Sequence, residues 1–227
     1  MKLLLASVFL LMLSLSIWAA TPAGQVILTT GELKAINANN VSRSLQRGTA
    51  FYQDDTLTTG SAAQAKLRFT DGTLLTLNPN SRLRIDSYRY QNGASNNNYI
   101  VNLTTGGFRT VSGAIAKDNT ADYQVHTPVA TIAIRGTDYS IMFSNTEGLT
   151  TAVWQGAIEL SNDSGKLLVG EAQKFQYAQI KAADAIPEGL TQMPKALISG
   201  APPSTTVEPT SASSSAEKDS LLEICIP

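Results

Sequence analysis

Residues 127–143 read Thr127-Pro-Val-Ala-Thr-Ile-Ala-Ile-Arg-Gly-Thr-Asp-Tyr-Ser-Ile-Met-Phe143, two apolar runs on either side of a turn signal. In an extended chain Ile132 and Ile134 point to one side, whereas Tyr139 begins a run in the opposite phase. Such a change of phase requires a bend or bulge, and glycine permits one without steric cost. The stretch therefore predicts a strand, a bend at Gly136 and a second strand.

Two opposite charges flank this bend. Arg135 and Asp138 lie close enough in sequence for the carboxylate and nearby backbone carbonyls to hold the guanidinium group. We therefore interpret Arg135, Gly136, Thr137 and Asp138 as a structural motif that braces two strands. Arg135→Ala and Gly136→Val are both expected to destabilise the fold if the pair is buried and the glycine has a positive φ.

The rest of the chain, outward from this stretch, is punctuated by turn signals at short intervals from Gly24 to Gly170. Between most of them lie apolar and threonine-rich runs that are too short for a helix to bury a face. This pattern is typical of an all-β protein. It is compatible with a β-solenoid-like stack, which the Gly-rich corners slightly favour, or with a twisted two-sheet sandwich.

Several runs alternate in a way that shows which side chains face the core. Leu67, Phe69, Leu83 and Ile85 are expected to point inward, and the same pattern around Gly156 predicts this for Trp154, Ile158 and Leu160. Basic residues occupy the alternate positions and form a possible binding face, composed of Lys66, Arg68, Arg82, Arg84 and Arg89. A solvated strand face is the competing interpretation of this row.

The beginning of the chain has the features of an export signal. A charged start, an apolar run from Leu3 to Trp18 and small residues at its end predict a signal peptide over residues 1–20, cleaved near Ala20. A membrane anchor is the alternative, although the apolar run is slightly short for a full span. The signal predicts a periplasmic or secreted protein.

The folded domain is predicted over residues 24–178, followed by a linker over 179–198. Prolines accumulate after Tyr177 among serine, threonine and alanine, so residues 199–227 are expected to be a disordered low-complexity tail. This tail contains the one cysteine, Cys225, for which an incidental free thiol and an intermolecular disulfide both remain open. The sequence does not indicate an oligomeric state.

Few groups with catalytic or metal-binding chemistry are present. His126 is the only histidine, which excludes multi-histidine metal centres, and no nucleophile elbow, Walker loop or dinucleotide fingerprint occurs. A net charge of -1 argues against nucleic-acid binding. We therefore predict a protein that is not an enzyme and uses no cofactor.

An ordered series of short motifs resembles the FecR protein domain. The series consists of Arg47-Gly48, Asp54-Asp-Thr-Leu-Thr-Thr-Gly60, Phe69-Thr-Asp-Gly-Thr73, Leu77, Ser81, Tyr88, Val101-Asn-Leu-Thr-Thr-Gly-Gly-Phe-Arg109, Val111-Ser-Gly113, Thr127-Pro128 and Arg135-Gly-Thr137. The family is named after a bacterial regulator whose periplasmic part senses an occupied outer-membrane transporter and signals to a cytoplasmic sigma factor. The resemblance implies an all-β, non-enzymatic, periplasmic interaction module. Because a signal peptide runs directly into the domain here, we expect the module to carry over and not the sigma-factor circuit.

Two binding hypotheses follow. In the first, a sheet edge or the polar loop Gln91–Asn98 engages an envelope protein by strand addition. In the second, the basic row binds a glycan or another polyanion. Salt separates them, because polyanion binding weakens steeply with ionic strength. The first hypothesis, protein interaction or signal sensing at the cell envelope, is preferred.

Overall fold

The computed structural model describes residues 21–118 and 122–200. The predicted signal peptide, most of the predicted tail and Cys225 lie outside these residues. The strands are β1 (Pro22–Thr30), β2 (Leu33–Ile36), β3 (Ser42–Ser44), β4 (Ala50–Tyr52), β5 (Thr56–Thr59), β6 (Gln64–Phe69), β7 (Leu74–Leu77), β8 (Arg82–Arg89), β9 (Asn98–Val111), β10 (Tyr123–His126), β11 (Thr131–Ser144), β12 (Gly148–Asn162), β13 (Gly165–Gly170), β14 (Tyr177–Ile180) and β15 (Glu188–Leu190), with short helices α1 (Ile115–Asp118) and α2 (Lys195–Gly200). The all-β prediction is confirmed.

All strands belong to one hydrogen-bonded sheet of 15 strands. Three of them, β9, β11 and β12, are 14 or 15 residues long, and each contains a glycine with positive φ near its middle. These glycines are Gly106 (φ 77°), Gly136 (φ 58°) and Gly156 (φ 77°). Each long strand changes at least one neighbour at its glycine, although β11 and β12 pair with each other on both sides of their bends. The long strands therefore bend and pass from one part of the sheet to another.

The bends divide the sheet into two layers. Layer A runs in the order β15, β14, residues 148–155 of β12, residues 138–144 of β11, residues 106–111 of β9, β7, β6, β1 and β4. Layer B runs in the order β13, residues 157–162 of β12, residues 131–135 of β11, β10, residues 98–105 of β9, β8, β5, β2 and β3. Neighbours are antiparallel except β9 and β10. This arrangement matches the twisted two-sheet sandwich more closely than the solenoid-like stack.

The two layers share one core. Phe69 of layer A contacts Tyr99 of layer B, with ring centroids 4.9 Å apart, and Tyr99 stacks on Tyr123 at 4.1 Å. The residues predicted to point inward from β6 and β8 are all buried, namely Leu67, Phe69, Leu83 and Ile85. Burying these rings and branched side chains between the layers is the main stabilising contribution.

Three tyrosines place polar groups inside this core. Tyr99, Tyr123 and Tyr139 are fully buried, and their hydroxyl groups lie near one another and near Thr110 without a hydrogen bond of standard geometry to a described residue. Burial raises the pKa of all three well above the usual tyrosine value, because a phenolate cannot be solvated there. The three hydroxyl groups thus stay protonated as long as the fold persists at ordinary pH.

The inward orientation predicted for Trp154 is wrong. Its side chain is 42% exposed on the outer face of layer A, whereas Val153 beside it is buried. The physical reason is the positive φ of Gly156, which changes the phase of the alternation between Trp154 and Ile158. Ile158 and Leu160, beyond the bend, point inward as predicted.

Residues 179–198, predicted as a linker, continue the folded part. β14 pairs with β12, and β15 pairs with β14. The amide of Asn162 donates hydrogen bonds to the carbonyls of Ala183 (3.1 Å) and Ala185 (2.7 Å), which ties the intervening loop to β12. The predicted domain end at residue 178 is therefore too early. Contacts with residues far away in sequence stabilise this segment, although its local sequence pattern does not predict strands.

Within the described ranges, no helix has the length and apolar character needed to cross a membrane.

Candidate interaction surface

An aromatic and charged cluster lies on the outer face of layer A, where β9, β11 and β12 run side by side. Ser140 of β11 is opposite Arg109 of β9 and Ala152 of β12, and Asp138 is opposite Val111. Alternation along the strands turns the core residues inward and this set outward. We call Arg109, Val111, Asp138, Ser140 and Trp154 the Trp154 platform.

The platform is held by a chain of contacts. Arg109 donates two hydrogen bonds to Asp138, from Nε to Oδ1 at 3.0 Å and from Nη2 to Oδ2 at 2.8 Å. The guanidinium carbon lies 5.6 Å from the centre of the Trp154 ring, and the indole Nε1 donates to Ser140 Oγ at 3.2 Å. Such a bidentate pair and a cation–π contact fix orientation as well as adding stability.

The surroundings of Arg109 in the platform keep its guanidinium group positively charged. The hydrogen bonds from Arg109 to Asp138 raise the pKa of the guanidinium further above its usual value. The side chain of Arg109 is 45% exposed and that of Asp138 only 18%. A charged, half-exposed arginine therefore lies beside an exposed indole.

The predicted motif at the bend is partly explained by this geometry. Gly136 has the positive φ that the change of phase requires, and the register of β11 with β12 shifts there. Thr137 is buried, its N–H donates to Ser112 Oγ at 2.8 Å, and its carbonyl accepts the N–H of Ser112 at 3.0 Å. Asp138, however, binds Arg109, a residue that the sequence did not suggest. The structure describes the backbone of Arg135 but not its side chain, so the role of that side chain stays a prediction.

The basic row does not form one face. Lys66 and Arg68 lie on β6 in layer A, whereas Arg82, Arg84 and Arg89 lie on β8 in layer B. Because Leu67 and Leu83 point into the shared core, their basic neighbours point outward on opposite sides of the sandwich. Arg84 also lies near Asp86, at 3.1 Å. The five residues predicted as a possible binding face are therefore divided between two outer faces. Alternation along a strand distinguishes inward from outward side chains, but it does not show which layer the strand joins.

Lys66 and Arg68 do lie on the same outer face as the platform. Thr76 is opposite both Arg109 and Lys66, and Leu74 is opposite both Val111 and Arg68. The part of layer A around the platform is thus basic. It also exposes apolar surface at Val111, which is 46% exposed.

The remaining histidine and aspartate candidates make hydrogen bonds or ion pairs within the fold. His126 Nδ1 lies 3.1 Å from Thr131 Oγ1 on the paired strand. Asp55 is buried and binds Arg43 through both carboxylate oxygens, and Asp71 accepts hydrogen bonds from the N–H and hydroxyl of Thr73. Among residues 21–118 and 122–200, no cluster of three or more histidine, cysteine or acidic side chains is placed to hold a metal ion.

Comparison with protein families matches residues 55–159 to the model of the FecR protein family. The chain carries a FecR domain. The match covers β5 to most of β12, including all five residues of the Trp154 platform. The motif series identified in the sequence lies within the matched range from Asp55 to Thr137, and only Arg47, Gly48 and Asp54 precede that range.

Two crystal structures of a proposed anti-sigma factor from Parabacteroides distasonis ATCC 8503 are similar to the FecR-domain chain. Sequence identity is 13% for both, and the TM-scores are 0.49 and 0.47. The similarity covers 61% of this chain and 60% of the other, so this chain spans less than two thirds of those structures. No curated protein matches the sequence.

Sequence reasoning did not identify Arg109 and Trp154. Arg109 lies 29 residues before Asp138, and nothing local indicates that β9 and β11 become neighbours. A signal was nevertheless present for Trp154, because Gly156 lies between it and Ile158, as Gly136 lies between Ile134 and Tyr139. Treating both glycines as bends would have predicted an outward tryptophan.

Proposed function

We propose that this chain is a non-enzymatic FecR-domain module that is exported and binds another protein of the bacterial cell envelope, where it takes part in signal sensing. The family membership supports an interaction role, and the predicted signal peptide supports export. The observation that carries the proposal is the Trp154 platform, an exposed indole held in place by Arg109 and Ser140.

The chemistry of the platform suits protein binding. Tryptophan and arginine are the side chains most enriched at energetically important positions of protein interfaces. A side chain that is already fixed loses little conformational freedom on binding, so more of its contact energy contributes to affinity. Arg109, Ser140 and Asp138 fix Trp154 from within layer A.

The charge around the platform indicates the kind of partner. Lys66 and Arg68 are exposed beside it, whereas the charge of Asp138 is neutralised by Arg109. The complementary partner is a protein surface with acidic residues around an apolar pocket that accepts the indole.

Site-specific photocrosslinking in cells tests this function. A photoreactive phenylalanine analogue at Val111 places the probe inside the platform, and the same analogue at Thr104, exposed in the layer B half of β9, is the matched control. We expect one envelope protein to crosslink from position 111, not from 104, and the adduct to disappear with Trp154→Ala. Equal adducts from both positions, or an adduct that persists with Trp154→Ala, would contradict the proposal.

Strand addition at β13 is a second binding mode that a specific observation favours. β13 pairs with β12 and with no other strand of the described chain, and it is longer than the other edge strands β3, β4 and β15. The N–H of Gly170 binds the carbonyl of Phe175, away from β12. Because N–H groups alternate sides along a strand, those of Lys166 and Leu168 also point to the free edge.

A pair of proline variants separates this mode from the platform. Lys166→Pro removes a donor on the free edge, and Leu167→Pro removes one directed at β12. If strand addition operates, Lys166→Pro folds normally and loses the partner while the Trp154 platform is intact. An unchanged adduct from position 111 in Lys166→Pro would contradict strand addition and leave the platform as the binding site.

A further inference from the structure

A groove of about 700 Å³ lies at one end of the sandwich, on the side of the polar loop after β8 and away from the Trp154 platform. Its volume is within the range of small-molecule sites. Three tyrosines line it together with amide and charged side chains, among them Tyr52, Tyr88, Tyr90, Gln53, Asp54 and Asn96. None of these residues has a role in the function proposed above.

The aromatic walls of the groove are fixed in place. The hydroxyl of Tyr88 lies 2.8 Å from Thr70 Oγ1 and accepts the N–H of Asp71 at 2.9 Å, and its ring packs against Phe69 with centroids 5.3 Å apart. Arg43, which is bound to the buried Asp55, lies over one face of the Tyr52 ring at 5.5 Å. The rings are therefore preorganised.

The polar groups are also oriented. Gln53 Oε1 accepts the N–H of Tyr88 at 3.1 Å, which leaves the NH₂ group of Gln53 as a donor. Asn97 is buried and binds both the N–H and the carbonyl of Gln91, at 2.7 and 2.9 Å, so the loop that presents Asn96 is closed on itself. Asp54 has a left-handed backbone, with φ 66°, at the rim. Such a conformation in a non-glycine residue is found preferentially at turns and functional sites.

From these features we infer that the groove binds a neutral oligosaccharide. A pyranose presents C–H groups on its faces, which pack on tyrosine rings, and hydroxyl groups at its edges, which donate and accept hydrogen bonds. The groove supplies rings, amides and one carboxylate together. Arg89 and Asp54 also line it, so opposite charges are present and a polyanion is not favoured.

Isothermal titration calorimetry of the purified protein tests the inference. The probes are cellotetraose and tetra-N-acetylchitotetraose, which are neutral and equatorially substituted, and tetragalacturonic acid, which is anionic. We expect saturable binding of a neutral probe with a Kd below about 1 mM, and weaker binding of the anionic probe. A lack of saturation by both neutral probes, or preferred binding of the anionic one, would overturn the assignment.

Variants localise the site. Gln53→Ala combined with Asn96→Ala changes exposed polar groups and should weaken binding of the neutral probe at least about 10-fold, with only a small fall in Tm from the lost hydrogen bond between Gln53 and Tyr88. Tyr52→Phe retains the ring and should bind more tightly than Tyr52→Ala. Trp154→Ala is the control and should bind normally, so failure of the groove and failure of the platform are distinguishable. Unchanged affinity in the Gln53 and Asn96 variant would place the sugar elsewhere and overturn the inference.

Discussion

The bend in β9 requires glycine for lack of space as well as for the positive φ of Gly106, whereas the bend in β11 requires it for backbone conformation alone. At Gly107, which follows the positive-φ residue of β9, the chain passes so close to β11 that a Cβ atom would lie against the carbonyl oxygen of Ile141 and 3.1 Å from the Cα of Met142. At Gly136 of β11 a Cβ atom would meet nothing within 4 Å, but φ is 58°. One glycine is thus required by lack of space, and the other by backbone conformation.

The comparison shows that two bends of similar form can respond differently to the same substitution. Where glycine is required by lack of space, any side chain destabilises the fold, because neighbouring backbone must move to accommodate it. Where glycine is required by backbone conformation, the loss of stability depends on the substituted residue. Asparagine tolerates positive φ better than alanine, and alanine better than a β-branched residue. Substitutions at the two positions therefore separate the two causes.

Gly107→Ala is expected to have the largest effect. The added methyl group overlaps the backbone of β11, so we expect a loss of about 2 to 3 kcal/mol in the free energy of unfolding. For a domain of this size that corresponds to a fall in Tm of roughly 5 to 10 °C. Thermal unfolding followed by circular dichroism measures it, with Gly136→Ala as the matched control. A Tm equal to that of the wild type would mean that the two strands separate without loss.

Substitutions of Gly136 should form a graded series. We expect Gly136→Val to cost about 2 kcal/mol, Gly136→Ala about 1 kcal/mol and Gly136→Asn less, in the order of their tolerance for positive φ. Denaturant unfolding gives the three values. Equal losses for all three variants would show that crowding, and not φ, explains the need for glycine there.

The ion pair between Arg109 and Asp138, which joins β9 to β11, should contribute less to the free energy of unfolding. A double-mutant cycle with Arg109→Ala and Asp138→Ala is expected to give a coupling energy of about 0.5 to 1 kcal/mol, because the pair is bidentate but partly exposed. The coupling should decrease at high salt. Arg135→Ala with Asp138→Ala is the comparison cycle, and a larger coupling there would restore Arg135 as the partner that the sequence suggested.

The smallest effect is expected on the inner side of the bends, at Tyr139. Its hydroxyl lies near that of Tyr123 without a hydrogen bond of standard geometry, so Tyr139→Phe should change the free energy of unfolding at pH 7 by about 0 to 0.5 kcal/mol in either direction. A loss above about 1 kcal/mol would reveal a partner for this hydroxyl.

Alkaline pH should separate the variant from the wild type. Burial raises the pKa of Tyr139, so its contribution is complete below the tyrosine pKa of the unfolded chain, about 10, and is lost as pH rises above it. Tyr139→Phe has no hydroxyl to titrate at this position, so the variant does not lose this part of its stability. We therefore expect Tm to fall less steeply above pH 10 in the variant, and parallel curves would contradict the raised pKa.

Local alternation and turn signals predicted much of this fold. The change of phase around Gly136 predicted the bend, and the alternation in β6 and β8 predicted Leu67 and Ile85 in the core. The pairing of Asp138 with Arg109 could not be predicted, because it depends on two strands far apart in sequence becoming neighbours.

The candidate site was less predictable than the fold for the same reason. The basic row was read from two strands that alternate alike, yet these strands join different layers. Residues 179–198 lack a strong pattern and are ordered by contacts from Asn162 and by pairing with β12. Such contacts are decided by tertiary packing, which a local pattern does not contain.

The passage of β9, β11 and β12 through both layers has a mechanical consequence. A pull on Trp154 is applied to a strand whose other half, beyond Gly156, is hydrogen-bonded within layer B. The two layers cannot separate like independent sheets, because three strands of the one polypeptide cross between them. We therefore expect a tensile load at the outer face of layer A to be shared by the hydrogen bonds of both layers.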